Sequence, residues 1–214
     1  MNLHLLFFLF LLLSPHMFVE YKIHSTISNE VICNVILENV SKTFPNGTFA
    51  YTIQVFFMNY SKYTQPSIVY DNLTNPQTFF YIPKNELGKS AIDRQIPLTL
   101  VNESNGTYVY FGKQFVDYVE IEDYYFVNST GVPSKIEIIQ IGENGGIVSV
   151  TTYTLIRTNI FQNETPFMPK GFSLENSSLK LPNQSLSDSL GTYVILFNII
   201  VIPLLLTLYK VRKK

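Results

Sequence analysis

The sequence predicts an all-β ectodomain, an antiparallel sandwich of Ig-like or fibronectin-like architecture, followed by one C-terminal transmembrane helix. Short runs rich in Val, Ile, Thr, Tyr and Phe recur between residues 20 and 157, and these residue types favour strands. Clusters of Gly, Pro and Asn separate the runs, as turns do in antiparallel sheets. Outside the block at 189–209, no run of ten or more residues has helical spacing.

Nine strands are predicted from these runs, and two of them alternate apolar and polar residues with period two, at 115–121 and 148–153. The pairs Asn105-Gly106 and Gly145-Gly146 are typical of turns between paired strands. True Ig domains carry two cysteines and a tryptophan, whereas this chain has one cysteine and no tryptophan, so the prediction concerns architecture alone. The predicted strands are 31–37, 50–58, 66–70, 77–82, 96–101, 107–111, 115–121, 135–141 and 147–156.

The first apolar block, residues 5–13, has the length of a signal-peptide core. It is too short to cross a hydrocarbon layer of about 30 Å as a helix. We therefore predict a signal peptide over residues 1–19, cleaved between Ser14 and Glu20. Because residues 1–4 hold no Lys or Arg, an uncleaved anchor or a buried core helix remains the alternative.

The second apolar block, residues 189–209, is uncharged and long enough for one membrane helix. Lys210, Arg212, Lys213 and Lys214 follow it directly, and the positive-inside rule places such a tail, residues 210–214, in the cytosol. The predicted topology is therefore single-pass type I. Lys and Arg total 15 against 16 Asp and Glu, and four of the cations are in the tail, so the part before the membrane is near −5. That charge balance argues against a nucleic-acid-binding surface.

Ten asparagines stand in Asn-x-Ser/Thr sequons, and all ten lie between the two apolar blocks. This placement predicts a glycoprotein of the secretory pathway. The sequon residues are Asn39, Asn46, Asn59, Asn72, Asn102, Asn105, Asn128, Asn163, Asn176 and Asn183.

The β domain is predicted to cover residues 20–157, and a glycosylated stalk rich in Pro, Ser and Asn to cover residues 158–188. The lone cysteine, Cys33, excludes an intramolecular disulfide. It lies in an apolar run, which favours packing in the core over an intermolecular disulfide.

The sequence offers little for catalysis, so we predict a protein that is not an enzyme, with no cofactor and no small-molecule substrate. Loss of the signal peptide leaves His24 as the one histidine, too few for a nucleophile–base pair or a zinc site. The densest acidic cluster is Asp117, Glu120, Glu122 and Asp123. Solvated charges at a strand end explain this cluster better than a calcium site does. The many tyrosines and phenylalanines are assigned to core packing rather than to a sugar- or lipid-binding face.

Several short segments occur in an order and spacing found in one known family. They are YTIQVFFMN at 51–59, SIVYDN at 67–72, IPLTL at 96–100, YVYF at 108–111, NGGI at 144–147 and IPLLL at 202–206. In this order the chain resembles the translocon-associated protein beta subunit, also called the signal sequence receptor beta subunit. The ten sequons and the segment 158–188 depart from that pattern.

The resemblance implies a non-catalytic subunit of an endoplasmic-reticulum membrane complex, whose β domain binds sister subunits and assists protein translocation. Lys210 and Arg212 approximate a basic retrieval signal for that compartment, with a plain stop-transfer cluster as the alternative. The competing interpretation is a cell-surface type I glycoprotein of the plasma membrane, with an adhesion, receptor or coat role and a glycan-shielded sandwich.

Overall fold

The structure, a computed structural model, describes residues 13–27, 30–72, 81–82, 84–93, 96–116, 118–167 and 169–175. Within these residues the fold is all-β, as the sequence predicts, and its strand pairs are antiparallel apart from one short parallel pair near the C-terminal end of the described chain. The described part of the chain forms twelve strands and one short 3-10 turn, Lys84–Glu86. The strands are β1 (Phe18–Ile27), β2 (Glu30–Thr43), β3 (Thr48–Phe57), β4 (Lys62–Tyr63), β5 (Ser67–Asn72), β6 (Ala91–Asp93), β7 (Ile96–Ser104), β8 (Thr107–Val116), β9 (Val119–Asn128), β10 (Pro133–Ile141), β11 (Ile147–Thr158) and β12 (Ser173–Leu174).

All twelve strands belong to one hydrogen-bonded sheet, in the order β12-β4-β3-β2-β1-β11-β10-β9-β8-β7-β6, with β5 also paired to β3. Strands that follow one another along the chain pair as hairpins from β6 to β11. Strands β1 to β4 form a second series of consecutive hairpins. Strand β1 lies between β2 and β11, and its pairing with β11 joins the two series. An Ig-like or fibronectin-like sandwich has two separate sheets, whereas all the described strands here belong to one sheet. The arrangement is sandwich-like in a general sense only.

Because neighbouring strands run in opposite directions, the sheet has two rims at which alternate turns collect. The upper rim carries the β2–β3, β7–β8 and β9–β10 turns together with the start of β1 and the end of β11. The lower rim carries the β8–β9 and β10–β11 turns and the end of β3. Left-handed backbone at Asn105 and Gly106, with φ of 51° and 74°, makes the tight β7–β8 turn, as the Asn-Gly pair predicts.

One face of the sheet, the inner face, is lined by buried side chains across most of its width. Their alternation with exposed residues follows the strand period, as in β9, where every second residue from Ile121 to Val127 is buried. Irregularities in register at five strand pairs, including Val40/Lys42 and Gln140/Ile141, add twist and bending. The largest buried side chains on this face include Tyr21, Tyr110, Tyr125, Tyr153, Ile121 and Ile136.

The outer face of β1–β3 holds a second, smaller core. Phe18, Val35, Leu37 and Phe56 are buried there, and Phe172 packs against them. Burying side chains of this size contributes about 1.5–3 kcal/mol each. The described residues of 159–175 thus lie along the sheet, whereas the sequence pattern assigns them to a stalk. We call this segment the C-terminal strap.

The strap is fastened at both ends. At its start, the Asn159 side chain accepts a hydrogen bond from the Phe18 amide at 2.8 Å. At its end, β12 pairs in parallel with β4, and Lys62 forms an ion pair with Glu175 at 2.7 Å. The described chain therefore ends beside β4, near the lower rim.

The chain between β5 and β6 connects the two halves of the sheet. Its described residues touch the upper rim, where the Ile82 amide donates to the Gly131 carbonyl at 2.7 Å. Further along, the Tyr110 hydroxyl donates to the Glu86 carbonyl and accepts from the Gly88 amide at 3.0 Å. The predicted strand at 77–82 falls mostly outside the described residues, and Tyr81 and Ile82 are not in a strand.

The predicted strand at 115–121 is wrong, because the chain reverses within it. β8 ends at Val116 and β9 begins at Val119, and these two residues pair directly across a tight hairpin. No helix of the described residues is long and apolar enough to cross a membrane. The predicted membrane helix at 189–209, the tail at 210–214 and residues 1–12 of the signal peptide lie outside those residues.

Candidate interaction surfaces at the two rims of the sheet

The sequons collect toward the upper rim. Asn46, Asn105 and Asn128 lie in or beside its three turns, and Asn72 ends β5 opposite the first residue of β3. Asn102 lies near the end of β7, and Asn163 lies in the strap beside Glu164, whose carboxylate accepts from the Thr158 amide at the end of β11. Asn39 lies in the upper part of β2, opposite Phe18.

Local hydrogen bonds explain why asparagine occupies two of these turns. The Asn46 side chain accepts from the Thr48 amide at 3.1 Å, and the Asn128 side chain accepts from the Thr130 amide at 2.9 Å. Asparagine commonly stabilises turns in this way. Asn128 also accepts a short bond from the Thr130 hydroxyl, the third residue of its own sequon.

Among the eight sequon asparagines that the structure describes, Asn59 alone lies at the lower rim, in the turn after β3. Asn176 and Asn183 fall outside the described residues, as do Lys210, Arg212, Lys213 and Lys214. Glycans at the described sequons would therefore cover the upper rim and leave most of the lower rim bare.

The lower rim exposes large apolar side chains in two adjacent hairpins. Phe115 and Tyr118, at the β8–β9 turn, are 68% and 77% exposed, and Ile147, at the β10–β11 turn, is 66% exposed. Val148 beside it is also exposed. We call these four residues the hairpin patch. Isolated exposed apolar residues are ordinary, but a group of them on one edge marks an interaction site.

Strand pairing places Phe115 and Ile147 in one row across the sheet, with Glu120 and Ile141 between them. Phe115 pairs with Glu120 across β8 and β9, Glu120 pairs with Ile141 on β10, and Ile141 pairs with Ile147 on β11. This row crosses four strands, a width of roughly 14 Å at the usual strand spacing. The Lys113 ammonium lies 2.7 Å from the Glu120 carboxylate and offsets its charge.

The strand period divides the acidic cluster between the two faces. Asp123 is buried on the inner face, whereas Glu120 and Glu122 lie on the outer face. Glu122 accepts from the Tyr124 hydroxyl at 3.3 Å and Glu120 binds Lys113. Asp117 lies outside the described residues. Within the described ranges, no three His, Cys, Asp or Glu side chains come together as a possible metal site.

A buried carboxyl lies beneath the C-terminal strap. Glu20 is fully buried, and one of its oxygens accepts from the Phe167 amide at 3.2 Å. Burial raises the pKa of this carboxyl above its usual value, while the Phe167 hydrogen bond and the charge of Arg157 act in the opposite direction. The Arg157 guanidinium also lies 5.2 Å from the centre of the Phe167 ring.

Cys33 is only partly buried. It lies on the outer face of β2, opposite His24 on β1, and carries no disulfide. The apolar run around Cys33 predicts that its side chain packs in the core. The side chains that are buried are instead those of Val35 and Leu37, which lie on the same face closer to the strap.

Sequence reasoning missed the hairpin patch. The alternation at 115–121 was assigned to one strand, and its aromatic residues were assigned to the core. The usable signal was the adjacent pair Asp117-Tyr118, which interrupts the run with a turn-forming residue. Many of the other aromatic residues do lie in the core, as predicted, including Tyr110, Tyr125 and Phe56.

Comparison with known proteins identifies no family for this chain. No family model matches it, and no curated protein matches it. Two solved structures are similar at low identity. A domain of an outer membrane lipoprotein-sorting protein from Vibrio parahaemolyticus is 9% identical with a TM-score of 0.24, over 70% of this chain and 88% of that chain. A DUF1329 family protein from Desulfovibrio piger is 8% identical with a TM-score of 0.26, over 74% of this chain and 92% of that chain.

Proposed function

We propose that the chain is a non-catalytic, membrane-anchored glycoprotein of the secretory pathway. In its first form, the proposal is a subunit of a translocon-associated complex in the endoplasmic-reticulum membrane, where its β domain binds sister subunits and assists protein translocation. The observations that carry it are the concentration of the described sequons toward the upper rim and the exposed apolar side chains of the hairpin patch at the lower rim.

This division supports a binding role. An exposed apolar edge is unfavourable in water unless another surface covers it for part of the protein's life. Glycans keep partners away from the surfaces that they occupy, so the bare lower rim is the better place for a contact. The described chain ends near that same rim, at Glu175, about 13 residues before the predicted membrane helix.

The second candidate is a cell-surface glycoprotein with an adhesion, receptor or coat role. The observation that favours it is the density of sequons on the upper rim, the rim farther from the point where the described chain ends. Glycans there would form a shield over that end of the domain. Both candidates share the anchor, the glycans and the absence of catalysis, and they differ in compartment.

Glycan type and partners distinguish the two candidates. A resident of the endoplasmic reticulum keeps high-mannose chains that endoglycosidase H removes, and immunoprecipitation in mild detergent should recover channel-associated subunits with it. Resistant glycans and labelling of the wild-type protein by a surface-biotinylation reagent on intact cells would overturn the first candidate.

The tail provides a matched test of the same question. If Lys210 and Arg212 form a retrieval signal, replacing both with Ser should move the protein to the cell surface. The control replaces Lys213 and Lys214 with Ser instead, and it should leave the location unchanged. Either variant keeps two cations beyond the membrane segment, so the predicted topology should survive in both. A surface location that is the same in wild type and variants favours the second candidate.

A further inference from the structure

We propose that the innermost N-acetylglucosamine of the glycan on Asn46 packs on the ring of Phe44, so that this sugar is a structural part of the β2–β3 turn. The inference rests on the proposed glycosylation of the chain. It deepens that proposal by assigning one sequon a contact surface on the protein and a role in stability.

The β2–β3 turn is a five-residue bulge turn with the sequence Phe44-Pro45-Asn46-Gly47-Thr48. The Gly47 amide donates to the Phe44 carbonyl at 3.2 Å, and the Phe44 amide donates to the Thr48 carbonyl at 2.8 Å. Proline is favoured at the second position of such a turn, and the left-handed backbone of Gly47, with φ of 84°, closes it. Phe44 and Thr48 are therefore opposite each other at the base of the turn.

The Phe44 ring lies on the outer face of the sheet. Strand alternation places Thr48 on that face, since it stands an even number of residues before Phe56 of the outer core. Phe44, opposite Thr48, shares the face, and its ring centre is 6.5 Å from that of Tyr70 on β5. Phe44 is half-buried and Tyr70 is exposed, so part of the Phe44 ring faces solvent beside the turn.

The Asn46 side chain is held over the turn. Its Oδ1 atom accepts from the Thr48 amide at 3.1 Å, which restrains the Nδ2 atom to which the sugar is attached. Asn46 is exposed, so there is space for a sugar at this atom. Two residues of chain span at most about 7 Å. A pyranose ring attached at Asn46 therefore reaches the Phe44 ring.

The chemistry of the two rings is complementary. One face of a pyranose ring presents aliphatic C–H groups, and these pack on the negative face of an aromatic ring by dispersion and electrostatic attraction. The methyl group of Thr48, the third residue of the sequon, adds apolar area beside it. The Lys42 ammonium lies 5.0 Å from the centre of the Phe44 ring, but Lys42 is exposed and such contacts are weak. Lys42 therefore does not prevent the sugar from packing there.

The position of the asparagine in its turn distinguishes Asn46 from the other sequons in turns. Asn128 also has a phenylalanine two residues before it, but Asn128 opens its turn and its side chain is bonded forward, to Thr130. Asn105 has Glu103 at that position, an exposed carboxylate with no apolar face. Asn105 is therefore a matched control for Asn46.

A double-mutant cycle on the full-length chain tests the contact. The protein is produced in cells that make only high-mannose glycans, and endoglycosidase H trims each glycan to its innermost sugar. Asn46→Asp removes the glycan but keeps a side-chain oxygen for the Thr48 amide, and Phe44→Leu removes the ring but keeps apolar bulk. The thermal midpoint of unfolding is measured for the wild type, both single variants and the double variant, before and after trimming.

We expect Asn46→Asp to lower the midpoint by about 2–4 °C when Phe44 is present, and by about half as much or less when Phe44→Leu is combined with it. Phe44→Tyr keeps the ring and should preserve the full loss, and Asn105→Asp should have the same effect in every background. Equal losses from Asn46→Asp with and without Phe44→Leu would overturn the proposal. A difference that trimming abolishes would also overturn it, because the effect then belongs to the outer sugars.

A second measurement does not depend on the folding of Phe44→Leu. The trimmed wild-type protein carries N-acetylglucosamine labelled with carbon-13, and the sugar on Asn46 is assigned by the loss of its resonances in Asn46→Asp. The Phe44 ring should displace the C–H resonances of this sugar upfield relative to those of the sugar on Asn105. Matching resonances for the two sugars would overturn the proposal.

Peptide mass spectrometry separates this inference from the proposed function. If Asn46 is unmodified while other sequons carry glycans, the chain is a glycoprotein and the inference alone fails. If no sequon carries a glycan in cells, the proposed function fails together with the inference. If Asn46 is glycosylated but the cycle shows no coupling with Phe44, the proposed function stands and the packing of the sugar is refuted.

Discussion

The hydroxyl of Thr158, the last residue of β11, donates a buried hydrogen bond of 2.7 Å to the carbonyl oxygen of Phe18, the first residue of β1. The Phe18 amide is also bound, to the Asn159 side chain. The two ends of the domain sequence are thus joined at the upper rim.

This contact narrows the range of positions at which the predicted signal peptide can be cleaved. Phe18 is part of the outer core and Val19 is fully buried, so a mature domain needs both residues. The His16 amide donates to the Val40 carbonyl at 2.8 Å, and the Met17 carbonyl accepts from the Val40 amide at 2.8 Å, so these residues belong to the folded domain as well. We expect the mature chain to begin at His16 or before it. N-terminal sequencing of the purified protein checks this, and a mature chain that begins at Val19 or Glu20 would contradict it.

Removal of the hydroxyl should have different effects on the free energy of unfolding at two buried tyrosines, Tyr21 and Tyr81. The Tyr21 hydroxyl donates to the Pro133 carbonyl at 2.8 Å, whereas the buried Tyr81 hydroxyl has no hydrogen-bond partner among the described residues. Burial also raises the pKa of Tyr81. We expect Tyr21→Phe to lower the free energy of unfolding by about 1–2 kcal/mol, and Tyr81→Phe to leave it unchanged or to raise it slightly. Urea unfolding of the two variants measures the difference, and equal losses would show that Tyr81 has a partner.

Gly131 should not tolerate a side chain. Its φ is +91°, and a Cβ atom there would lie 2.1 Å from the Ile82 carbonyl oxygen. We expect Gly131→Ala to cost more than about 3 kcal/mol, because the clash is with backbone that cannot turn aside. Gly106→Ala is the control: φ is +74° but the space is open, so about 1 kcal/mol is expected. Similar losses at the two positions would contradict the close approach of Ile82.

Glu20 should make stability fall as the pH rises. Since burial raises the pKa of the folded carboxyl above its ordinary 4.5, the native state binds more protons than the unfolded state between those two pKa values. Stability is then lost as the pH rises through that window. We expect Glu20→Gln, which cannot ionise, to gain thermal stability relative to wild type between about pH 4 and pH 7. Glu143→Gln removes an exposed carboxyl and is the control. If the thermal stability of Glu20→Gln differs from that of the wild type by the same amount at about pH 4 and at about pH 7, ionisation of Glu20 does not cause the pH dependence.

Sequon occupancy should follow exposure. The side-chain oxygen of Asn39 is buried within β2 and lacks a hydrogen-bond partner among the described residues. A glycan on that amide would separate β2 from the structure beside it. We expect Asn39 to remain unmodified in the folded protein, whereas the exposed Asn46 and Asn105 carry glycans. Enzymatic deglycosylation in heavy-oxygen water followed by peptide mass spectrometry reads each site, and an occupied Asn39 would contradict the burial.

The sequence predicts the all-β fold class because period-two alternation and turn-forming residues are local features of the chain. The Asn105-Gly106 and Gly142–Gly146 turns are where the residues predict them. It did not predict β1, because Phe18 and Val19 stand in a segment that a signal peptide explains equally well. Nor could it predict that the strap packs on Phe18 and Phe56, since such long-range contacts depend on the strand order. The hairpin patch depends on the reversal of the chain between Val116 and Val119, which the local alternation of apolar and polar residues conceals.

The central place of β1 has a consequence for synthesis. β1 leaves the ribosome first, yet one of its two partners, β11, ends at Thr158, so their register spans nearly the whole domain. Pairings this distant in sequence form slowly, because a long loop must close before they stabilise anything. While the chain is still being made, the β1 edge facing β11 stays open. The domain therefore matures as a late, single event, and chaperones have a long interval in which to hold its unpaired strand.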